Sequence, residues 1–386
     1  MERTTLEPQP RKEQTVRIVS PLRPATVIWE PTRACDLACR HCRSAVQPKR
    51  SAFELTTEEG YRLIDQIAEL EPRAFVITGG DPLKRPEIFN FIEYASLRGL
   101  SPTMTPSATP LLTDEAIREM KYRRLAGLKV SLDGATASTH DGFRAIPGSF
   151  ELTLHAIESA RALGLPVQVN TTITRKAYAE LEDLFSLLEE LEVSRWNAFF
   201  VISSARGRSV DAMSAEEIES AFEILYRASA TRSFAVTAIE APQYRRFLLQ
   251  KRLRELGIEG EGVDVARAAG IALGSLFSGQ QVGPKSLDRI APDGVSTDIF
   301  VSHLGEVYPG AFLPLSAGNA RRRSLVDIYR TSPLFQTLQD PQQLEGKCGR
   351  CEYREICGGS RARAYAISGD PLAEDVTCAW EPRKAS

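Results

Sequence analysis

The chain has 386 residues, of which 42% are apolar and 25% charged, a composition typical of a globular protein with a large core. Its formal charge of −2 gives no support for nucleic acid or an anionic membrane as a partner. No apolar stretch approaches the ~18 residues that span a bilayer. The polar segment 1–20 lacks the apolar core of a secretory signal. We therefore expect a disordered N-terminal arm over 1–20 and a cytoplasmic protein.

From about residue 21 to 210, short β-branched runs alternate with amphipathic helical runs. In Thr57–Leu70, for example, the apolar residues share one face, and Thr56 with Glu59 predicts a capping box. Repeats of this kind predict an α/β fold, a parallel sheet with outer helices, closed or partly closed as a (β/α)6 TIM-like barrel. Functional residues are then expected where the strands end. The predicted strands are Thr26–Glu30, Ala74–Thr78, Ser101–Thr105, Leu128–Leu132, Val167–Ile173 and Trp196–Ile202.

The pattern changes after the sixth strand. Residues 211–296 are expected to form a helical and linking region and a candidate substrate lid, although 257–294 carries no clear pattern. A β-hairpin is predicted around Leu304 and Gly305, before a segment rich in cysteine. Other elements predicted here are the helix capped by Ser214 through Ala228, the strand Phe234–Ile239, and the helices Pro242–Leu256 and Ser360–Ile367.

The seven cysteines divide into a set of three near the N-terminus and a set of four near the C-terminus. An odd total in a cytoplasmic chain argues against a disulfide framework. The sets are Cys35, Cys39 and Cys42, and Cys348, Cys351, Cys357 and Cys378.

The first set has the spacing CxxxCxxC and directly follows the first predicted strand. Thiolates on so short a loop can hold three corners of a cubane cluster and leave the fourth iron without a protein ligand. A structural zinc site is closed by four ligands. Zinc would therefore need a further ligand, for which His41 is a candidate, and three unrelated buried thiols are the other alternative.

This motif, in this position, resembles the signature of the radical SAM superfamily, which has a partial barrel of this type. The resemblance implies that Cys35, Cys39 and Cys42 bind a catalytic [4Fe-4S] cluster whose open iron chelates S-adenosylmethionine (SAM). One electron, supplied by a flavodoxin- or ferredoxin-type donor, then breaks the sulfonium bond and yields a 5′-deoxyadenosyl radical. His41, before the third cysteine, would lie near the adenine.

Further motifs follow the other strands where the resemblance requires them. Gly-Gly-Asp after the second strand is similar to the family's GGE segment, which binds the SAM amino group; alone it would be a turn. Ser-Leu-Asp-Gly ends the fourth strand, and Arg144 matches an arginine that pairs with the SAM carboxylate, a task that suits a guanidinium. The residues that the resemblance assigns to SAM are His41, Gly79, Gly80, Asp81, Ser107, Ser131, Asp133, Arg144, Asn170 and Thr172.

The second set, Cys-x2-Cys-x5-Cys-x20-Cys, offers four thiolates, as zinc ribbons also do. It is similar to the SPASM extension of radical SAM enzymes, with Arg361 where another family cysteine would stand. The resemblance implies one auxiliary [4Fe-4S] cluster, fully bound by protein, in a shortened, twitch-like domain over 297–386. With no open iron, such a cluster suits electron transfer.

The spacing of the second set resembles that of enzymes of haem d and alternative haem synthesis, which remove or oxidise carboxylate side chains of tetrapyrroles. Such a substrate would need cationic partners, and His303, Tyr308 or Tyr365 could contact a macrocycle. One alternative is maturation of a ribosomal peptide, as in mycofactocin-type enzymes, although no N-terminal region here is long enough for their leader-binding domain. Another is a non-catalytic iron–sulfur electron carrier. The candidate cations are Arg206, Arg208, Arg245, Arg246, Arg361 and Arg363.

Overall fold

The structure is a computed structural model that describes residues 23–37, 39, 42–43, 47–202, 212–255, 257 and 298–382. Within them, ten strands form one sheet. The six predicted barrel strands are all present, mostly with trimmed ends. The strands are β1 Thr26–Trp29, β2 Ala74–Ile77, β3 Pro102–Met104, β4 Gly127–Ser131, β5 Val167–Ile173, β6 Arg195–Phe200, β7 Ala235–Ile239, β8 Ile299–Val301, β9 Glu306–Tyr308 and β10 Gly318–Asn319.

Helices connect the strands and cover the outer face of the sheet. The capping box at Thr56 and Glu59 is present and begins the first helix as predicted. Five short helices were not predicted from the sequence because they are too short to show a clear apolar period, namely α4, α6, α10, α11 and α12. The helices are α1 Thr57–Leu70, α2 Ile88–Leu97, α3 Asp114–Tyr122, α4 Ala137–Arg144, α5 Ser149–Ala162, α6 Arg175–Ala179, α7 Leu181–Glu190, α8 Ala215–Thr231, α9 Gln243–Glu255, α10 Leu325–Thr331, α11 Pro333–Gln339, α12 Gly346–Gly349 and α13 Arg361–Ser368.

The strand order is β10-β9-β8-β1-β2-β3-β4-β5-β6-β7, so the sheet is open and confirms the α/β fold with a partial barrel. All pairs from β8 to β7 are parallel, whereas β9 and β10 pair antiparallel at one edge. Two strands extend the sheet beyond the six predicted repeats. Ala235 of β7 pairs with Arg195 of β6, and Ile299 of β8 pairs with Val27 of β1. Each added strand satisfies backbone groups that would otherwise lie unpaired at a sheet edge.

Those two strands bear on the expected domain boundaries. β7 lies in the segment expected to link the domains, and β8 lies in the expected extension, yet both belong to the barrel sheet. The segment 257–294, apart from Gly257, lies outside the described residues, as do 1–22. Among the described residues, no helix has the length and apolar character that a membrane span requires.

The main core lies between the sheet and the outer helices. Trp29 and Phe91 are fully buried there, with ring centroids 5.0 Å apart. Gly60 of α1 packs directly beneath them: a Cβ added at this position would stand 2.6 Å from the Phe91 ring and 3.1 Å from Trp29. The absence of a side chain at Gly60 therefore lets α1 approach the sheet.

We predict that Gly60→Ala destabilises the protein, although alanine is the better helix former. Overpacking a rigid core costs about 1–3 kcal/mol, against a gain of about 1 kcal/mol in helix propensity. Gly142→Ala in α4 is the matched control, because nothing lies within 4 Å of a Cβ there. Thermal unfolding should show a lower midpoint for Gly60→Ala and an equal or higher one for Gly142→Ala; equal shifts for both would contradict this packing account.

Candidate active site

A cavity of about 1060 Å³ opens where the barrel strands end and continues into the barrel interior. It is lined by residues of β1 to β7 and by residues 309–313 and 359–362 of the C-terminal region. Cys35, Cys39 and Cys42 line it, and so does Cys357 of the second cysteine set. Both sets therefore meet one cavity.

The loop that carries the first set is held by close backbone contact with the Gly-Gly segment after β2. Gly80 donates a backbone hydrogen bond to the Thr32 carbonyl at 2.9 Å, and Asp81 donates one to Ala34 at 2.6 Å. A Cβ on Gly80 would lie 2.5 Å from the carbonyl oxygen of Ala34, and one on Gly79 would lie 2.8 Å from that of Thr32. The glycines are needed for this approach, which no side chain would allow.

The three thiols of the first set differ in their surroundings. Cys35 is buried, which raises the pKa of its thiol, and its Sγ lies 3.5 Å from Ser107 Oγ and accepts from the Leu37 amide at 3.4 Å. Arg144 Nη1 lies 3.8 Å from Cys39 Sγ. A guanidinium at this distance can donate a hydrogen bond to the sulfur. Three thiols on one loop at a cavity wall, with a cation beside them, fit the expected cubane.

Two carboxylates expected to contact SAM lie behind the cavity wall. Asp81 is fully buried, and its carboxylate accepts from Thr109 Oγ1 at 2.9 Å and from the Leu83 amide at 3.2 Å. Burial raises the pKa of Asp81. Asp133 accepts from Arg144 Nε and from the Thr172 amide. The carboxylate oxygens of both residues accept hydrogen bonds from protein donors, and neither residue lines the cavity.

The other residues assigned to SAM do line the cavity, except His41, which lies outside the described residues. Arg144 has contacts on both sides of the cavity wall. It lines the cavity near Cys39, and its Nε and Nη2 each stand 2.7 Å from Asp133 Oδ2. The cavity-lining residues are Gly79, Gly80, Ser107, Ser131, Arg144, Asn170 and Thr172.

His140 fixes the segment that carries Arg144. Its Nδ1 accepts from the Asp133 amide at 3.0 Å, and its ring packs against Phe150. Burial lowers the pKa of His140 to about 4. The imidazole is therefore neutral, as an acceptor at Nδ1 requires.

The second cysteine set is arranged around backbone donors. Amides of Tyr353, Gly359 and Asp375 donate to the sulfurs of Cys351, Cys357 and Cys348, each at 3.4 Å. The fourth sulfur, of Cys378, receives the Trp380 amide. Burial raises the pKa of Cys351 to about 11 and that of Cys357 to about 12. An iron cluster would stabilise the thiolates that burial otherwise disfavours.

A zinc ion and a cubane place different demands on four cysteine sulfurs. Zinc needs its four sulfurs around one centre, whereas a cubane holds each on a separate iron. Among the described residues, no three cysteine, histidine or carboxylate side chains are arranged to hold one metal ion. Leu249, Leu253, Tyr353 and Trp380 pack around Cys351 and Cys357, a low-dielectric shell of the kind that tunes cluster potentials.

Glu240 stands where the barrel meets the second set. It follows β7 with φ of 58°, an uncommon conformation for a residue with a side chain, and it lines the cavity. Its carboxylate accepts from Ser360 Oγ at 3.3 Å, and its carbonyl accepts from Arg363 Nη2 at 2.8 Å. Burial raises the pKa of Glu240 to about 7.

Three of the six cations proposed for substrate carboxylates have partners within the protein. Arg361 donates to Cys348 Sγ and to the carbonyls of Pro371 and Ala373, although it also touches the cavity. Arg363 pairs with the fully buried Asp375, and Arg246 pairs with Glu219. Arg245 does line the cavity, whereas Arg206 and Arg208 lie outside the described residues. None of the three proposed macrocycle contacts, His303, Tyr308 and Tyr365, lines it.

The sequence analysis missed a row of polar side chains inside the barrel. Lys129 of β4, Gln168 of β5 and Arg195 of β6 are neighbours in register, and all line the cavity. Strands of a parallel sheet are usually apolar on both faces. The alternation of polar and apolar residues in β4 to β6 was the signal that would have found the row.

We predict that His140 makes stability depend on pH. Because its folded pKa lies below its unfolded value of 6.5, its contribution is complete above about pH 6.5 and is lost as pH falls toward 4. At about pH 5 the loss should be roughly 2 kcal/mol. His140→Gln keeps an acceptor for the Asp133 amide without titrating, so its unfolding midpoint should fall less between about pH 7 and 5 than that of the wild type. The control is His155→Gln, at an exposed histidine of α5; a fall in His140→Gln as large as in the wild type would refute the prediction.

Comparisons with known proteins identify the family of the chain. The radical SAM superfamily model matches residues 29–188. An AdoMet-dependent heme synthase of Methanosarcina barkeri is 35% identical over 361 residues, 94% of this chain and 98% of the relative. Mycofactocin maturase MftC of Mycobacterium tuberculosis is 26% identical over 356 residues, 90% of this chain and 81% of that protein.

A solved structure, Streptococcus suis SuiB bound to S-adenosylmethionine, superposes with a TM-score of 0.69 over 93% of this chain and 78% of that one, at 14% identity, and so shares the fold. The likeness to enzymes along nearly the whole chain excludes the reading as a non-catalytic electron carrier. The chain belongs to the radical SAM superfamily, in its SPASM-type branch, and is an enzyme that uses SAM with a [4Fe-4S] cluster.

Proposed function

We propose that this enzyme removes carboxylate groups from the side chains of a haem-type tetrapyrrole by oxidative decarboxylation. The support from relatives is the AdoMet-dependent heme synthase, which aligns along nearly the full length of both chains. The structural observation that carries the proposal is that Cys357 of the second set lines the same cavity as the first set. A substrate in that cavity would lie between a radical source and an electron acceptor.

The reaction needs one hydrogen atom and one electron to be removed from each side chain. Cys35, Cys39 and Cys42 would hold the cluster that, with SAM, would supply a radical able to take the hydrogen atom from the carbon β to the carboxyl group. The second cysteine set would hold the cluster that would accept the electron. The side chain then loses carbon dioxide and keeps a carbon–carbon double bond, so atoms and charge balance. No proton donor is required, since the departing group leaves as carbon dioxide from a carboxylate.

The chain's own residues would position the reactants. Cys35, Cys39 and Cys42 would hold the first cluster, with Asp133 keeping Arg144 in place beside them. Hydroxyl and amide groups of Ser107, Ser131, Asn170 and Thr172 face the adjoining part of the cavity. At about 1060 Å³ the cavity lies at the upper end of the range for ligand sites, as a cosubstrate and a macrocycle together require.

Charge in the cavity also suits a carboxylated substrate. Seven basic side chains line it, against two acidic ones, Glu240 and Asp298. Two of the seven, Arg43 and Arg144, are paired with Glu30 and Asp133, which lie outside the cavity lining. Arginine is the usual partner for carboxylates because its donors match their two oxygens. The basic residues are Arg43, Arg73, Lys129, Arg144, Arg195, Arg245 and Arg361.

The auxiliary [4Fe-4S] cluster is part of this proposal, with Cys348, Cys351, Cys357 and Cys378 as its ligands. Hydrogen bonds from backbone amides to cluster sulfurs raise the reduction potential, which suits an electron acceptor. We further propose a flavodoxin- or ferredoxin-type donor for the first cluster and a cytoplasmic location. The donor, the location and the domain division at about 210 and 296 rest on the sequence.

Peptide maturation is the second candidate function. It is favoured by the similarity to mycofactocin maturase MftC, at 26% identity. It ranks below the tetrapyrrole reading because the heme synthase is 35% identical and matches 98% of its own length. A short precursor gene beside this one, with SAM cleavage stimulated by its peptide and unaffected by a porphyrin, would reverse the order.

We predict that the two cysteine sets can be separated by substitution. The wild type, reconstituted without oxygen, should hold about eight irons per chain, and Cys357→Ala about four. Cys39→Ala should form no 5′-deoxyadenosine from SAM and dithionite. Cys357→Ala should still form it, yet give no decarboxylated product from iron coproporphyrin, because the electron has no acceptor. Iron analysis and chromatography of both products measure this.

Cys378→Ala serves as a second test should Cys357→Ala fold poorly, since its thiol is less deeply buried. A count of about four irons per chain in the wild type would refute the presence of an auxiliary cluster. Full decarboxylation by both Cys357→Ala and Cys378→Ala would refute the role of the auxiliary cluster as electron acceptor.

A further inference from the structure

The deep part of the cavity is polar where barrels are usually apolar. Interiors of parallel barrels are filled mainly by branched apolar side chains. Here Gln168 and Arg195 are paired in register on β5 and β6, and both face the cavity. One layer nearer the strand ends, Asn170 and Asn197 are paired in the same way. The interior of this half of the barrel is therefore suited to a polar ligand.

Arg195 is a charged group in this interior without an opposite charge. Its Nη1 donates to Thr237 Oγ1 at 3.1 Å, and within the part of the chain that the structure describes no carboxylate pairs with it. Burial alone lowers its pKa, with no carboxylate to offset the effect. Arg195 is half-buried. Of the more deeply buried arginines, Arg246 pairs with Glu219 and Arg363 with Asp375. Arg361 donates instead to the carbonyls of Pro371 and Ala373 and to Cys348 Sγ. A desolvated, unmatched guanidinium is costly unless an anion binds it.

Gln168 adds neutral donors beside this charge. Asn197 Nδ2 donates to Gln168 Oε1 at 3.4 Å and to Asn170 Oδ1 at 2.9 Å. With its oxygen engaged, the Gln168 amide presents its nitrogen, for which no described residue is an acceptor. A guanidinium and an amide nitrogen on neighbouring strands are the donors that a carboxylate needs.

The position of this pair relates it to the reacting end of the cavity. Gln168 and Arg195 lie four residues before the register pair Thr172 and Phe199, which is about 13 Å along the strands. Thr172 donates its amide to Asp133, the partner of Arg144 beside Cys39. A ligand that reaches from the first cysteine set to Arg195 must therefore be long and must carry an acidic group at its far edge.

We propose that Arg195 and Gln168 form a carboxylate-binding subsite, which holds the substrate by an acidic side chain on the edge opposite to the one that reacts. The subsite rests on the proposed function, because a macrocycle with carboxylates on several edges is the substrate class that meets both ends of the cavity. It would orient the macrocycle and decide which side chain faces the radical.

The test uses the reconstituted, SAM-loaded enzyme and two probes, iron coproporphyrin and its uncharged tetra-amide, titrated by the Soret shift. Arg195→Gln should weaken binding of the acid roughly 10- to 100-fold, the value of a hydrogen bond to a charged group, and leave binding of the tetra-amide within about threefold. Arg195→Lys should restore part of the affinity. Gln168→Leu should weaken binding of the acid by a smaller factor. The control is Arg227→Gln, at an exposed arginine of α8, which should bind both probes as the wild type does.

The outcomes separate the subsite from the proposed function. If the wild type binds and decarboxylates the acid while Arg195→Gln and Gln168→Leu bind it as tightly, the subsite is wrong and the function stands. If both probes weaken equally, Arg195 acts on packing and the subsite is also wrong. If the wild type binds no porphyrin but binds an acidic peptide through Arg195, the proposed function is wrong. The claim that the subsite holds a macrocycle is then wrong as well.

Discussion

The backbone of Gly80 lies so close to the carbonyls of Arg33 and Ala34 that a Cβ would stand 2.6 and 2.5 Å from them. This contact fixes the loop that carries the first three cysteines against the end of β2. The Gly80 carbonyl also accepts from Ser107 Oγ at 3.0 Å, and that hydroxyl lies beside Cys35. Any side chain at Gly80 would displace the loop. The positions of the first three cysteines therefore require glycine at this position.

A second, electrostatic constraint fixes the second cysteine set relative to the barrel. The fully buried Asp375 accepts from Gln243 of α9, from the Ser360 amide and from Arg363. Arg363 in turn donates to the carbonyl of Glu240 at the end of β7. Breaking a buried pair of this kind leaves an uncompensated charge, which typically costs about 3–5 kcal/mol. The network thereby holds Cys357 at the cavity wall and maintains the αL backbone at Glu240.

Much of this could be predicted from the sequence because local patterns determine it. The six barrel strands, the capping box at Thr56 and the two cysteine sets follow from short-range periodicity and spacing. What could not be predicted depends on contacts between distant segments. The pairing of β8 with β1 joins residues far apart in the chain, and the burial of Asp81 and Asp133 depends on donors from Thr109 and Arg144.

The partners of buried charged residues also could not be predicted from the sequence. Arg361 and Arg363 are close in sequence to the cysteines and were reasonable candidates for substrate carboxylates, but the carbonyls and the carboxylate that occupy them come from residues 371–375. Arg195, with no such partner, was missed because the sixth strand was predicted to begin at Trp196, one residue after it. Only the register of β5 and β6 shows it beside Gln168, inside the barrel.

The central claim is that a radical formed at the first cysteine set acts on a tetrapyrrole side chain. Its most direct test is the transfer of deuterium from iron coproporphyrin labelled at the β-carbons of its propionates. The account predicts one deuterium in each 5′-deoxyadenosine formed, together with loss of the elements of formic acid from the porphyrin for each side chain converted. Unlabelled 5′-deoxyadenosine and a porphyrin of unchanged mass, from enzyme with both clusters assembled, would contradict it.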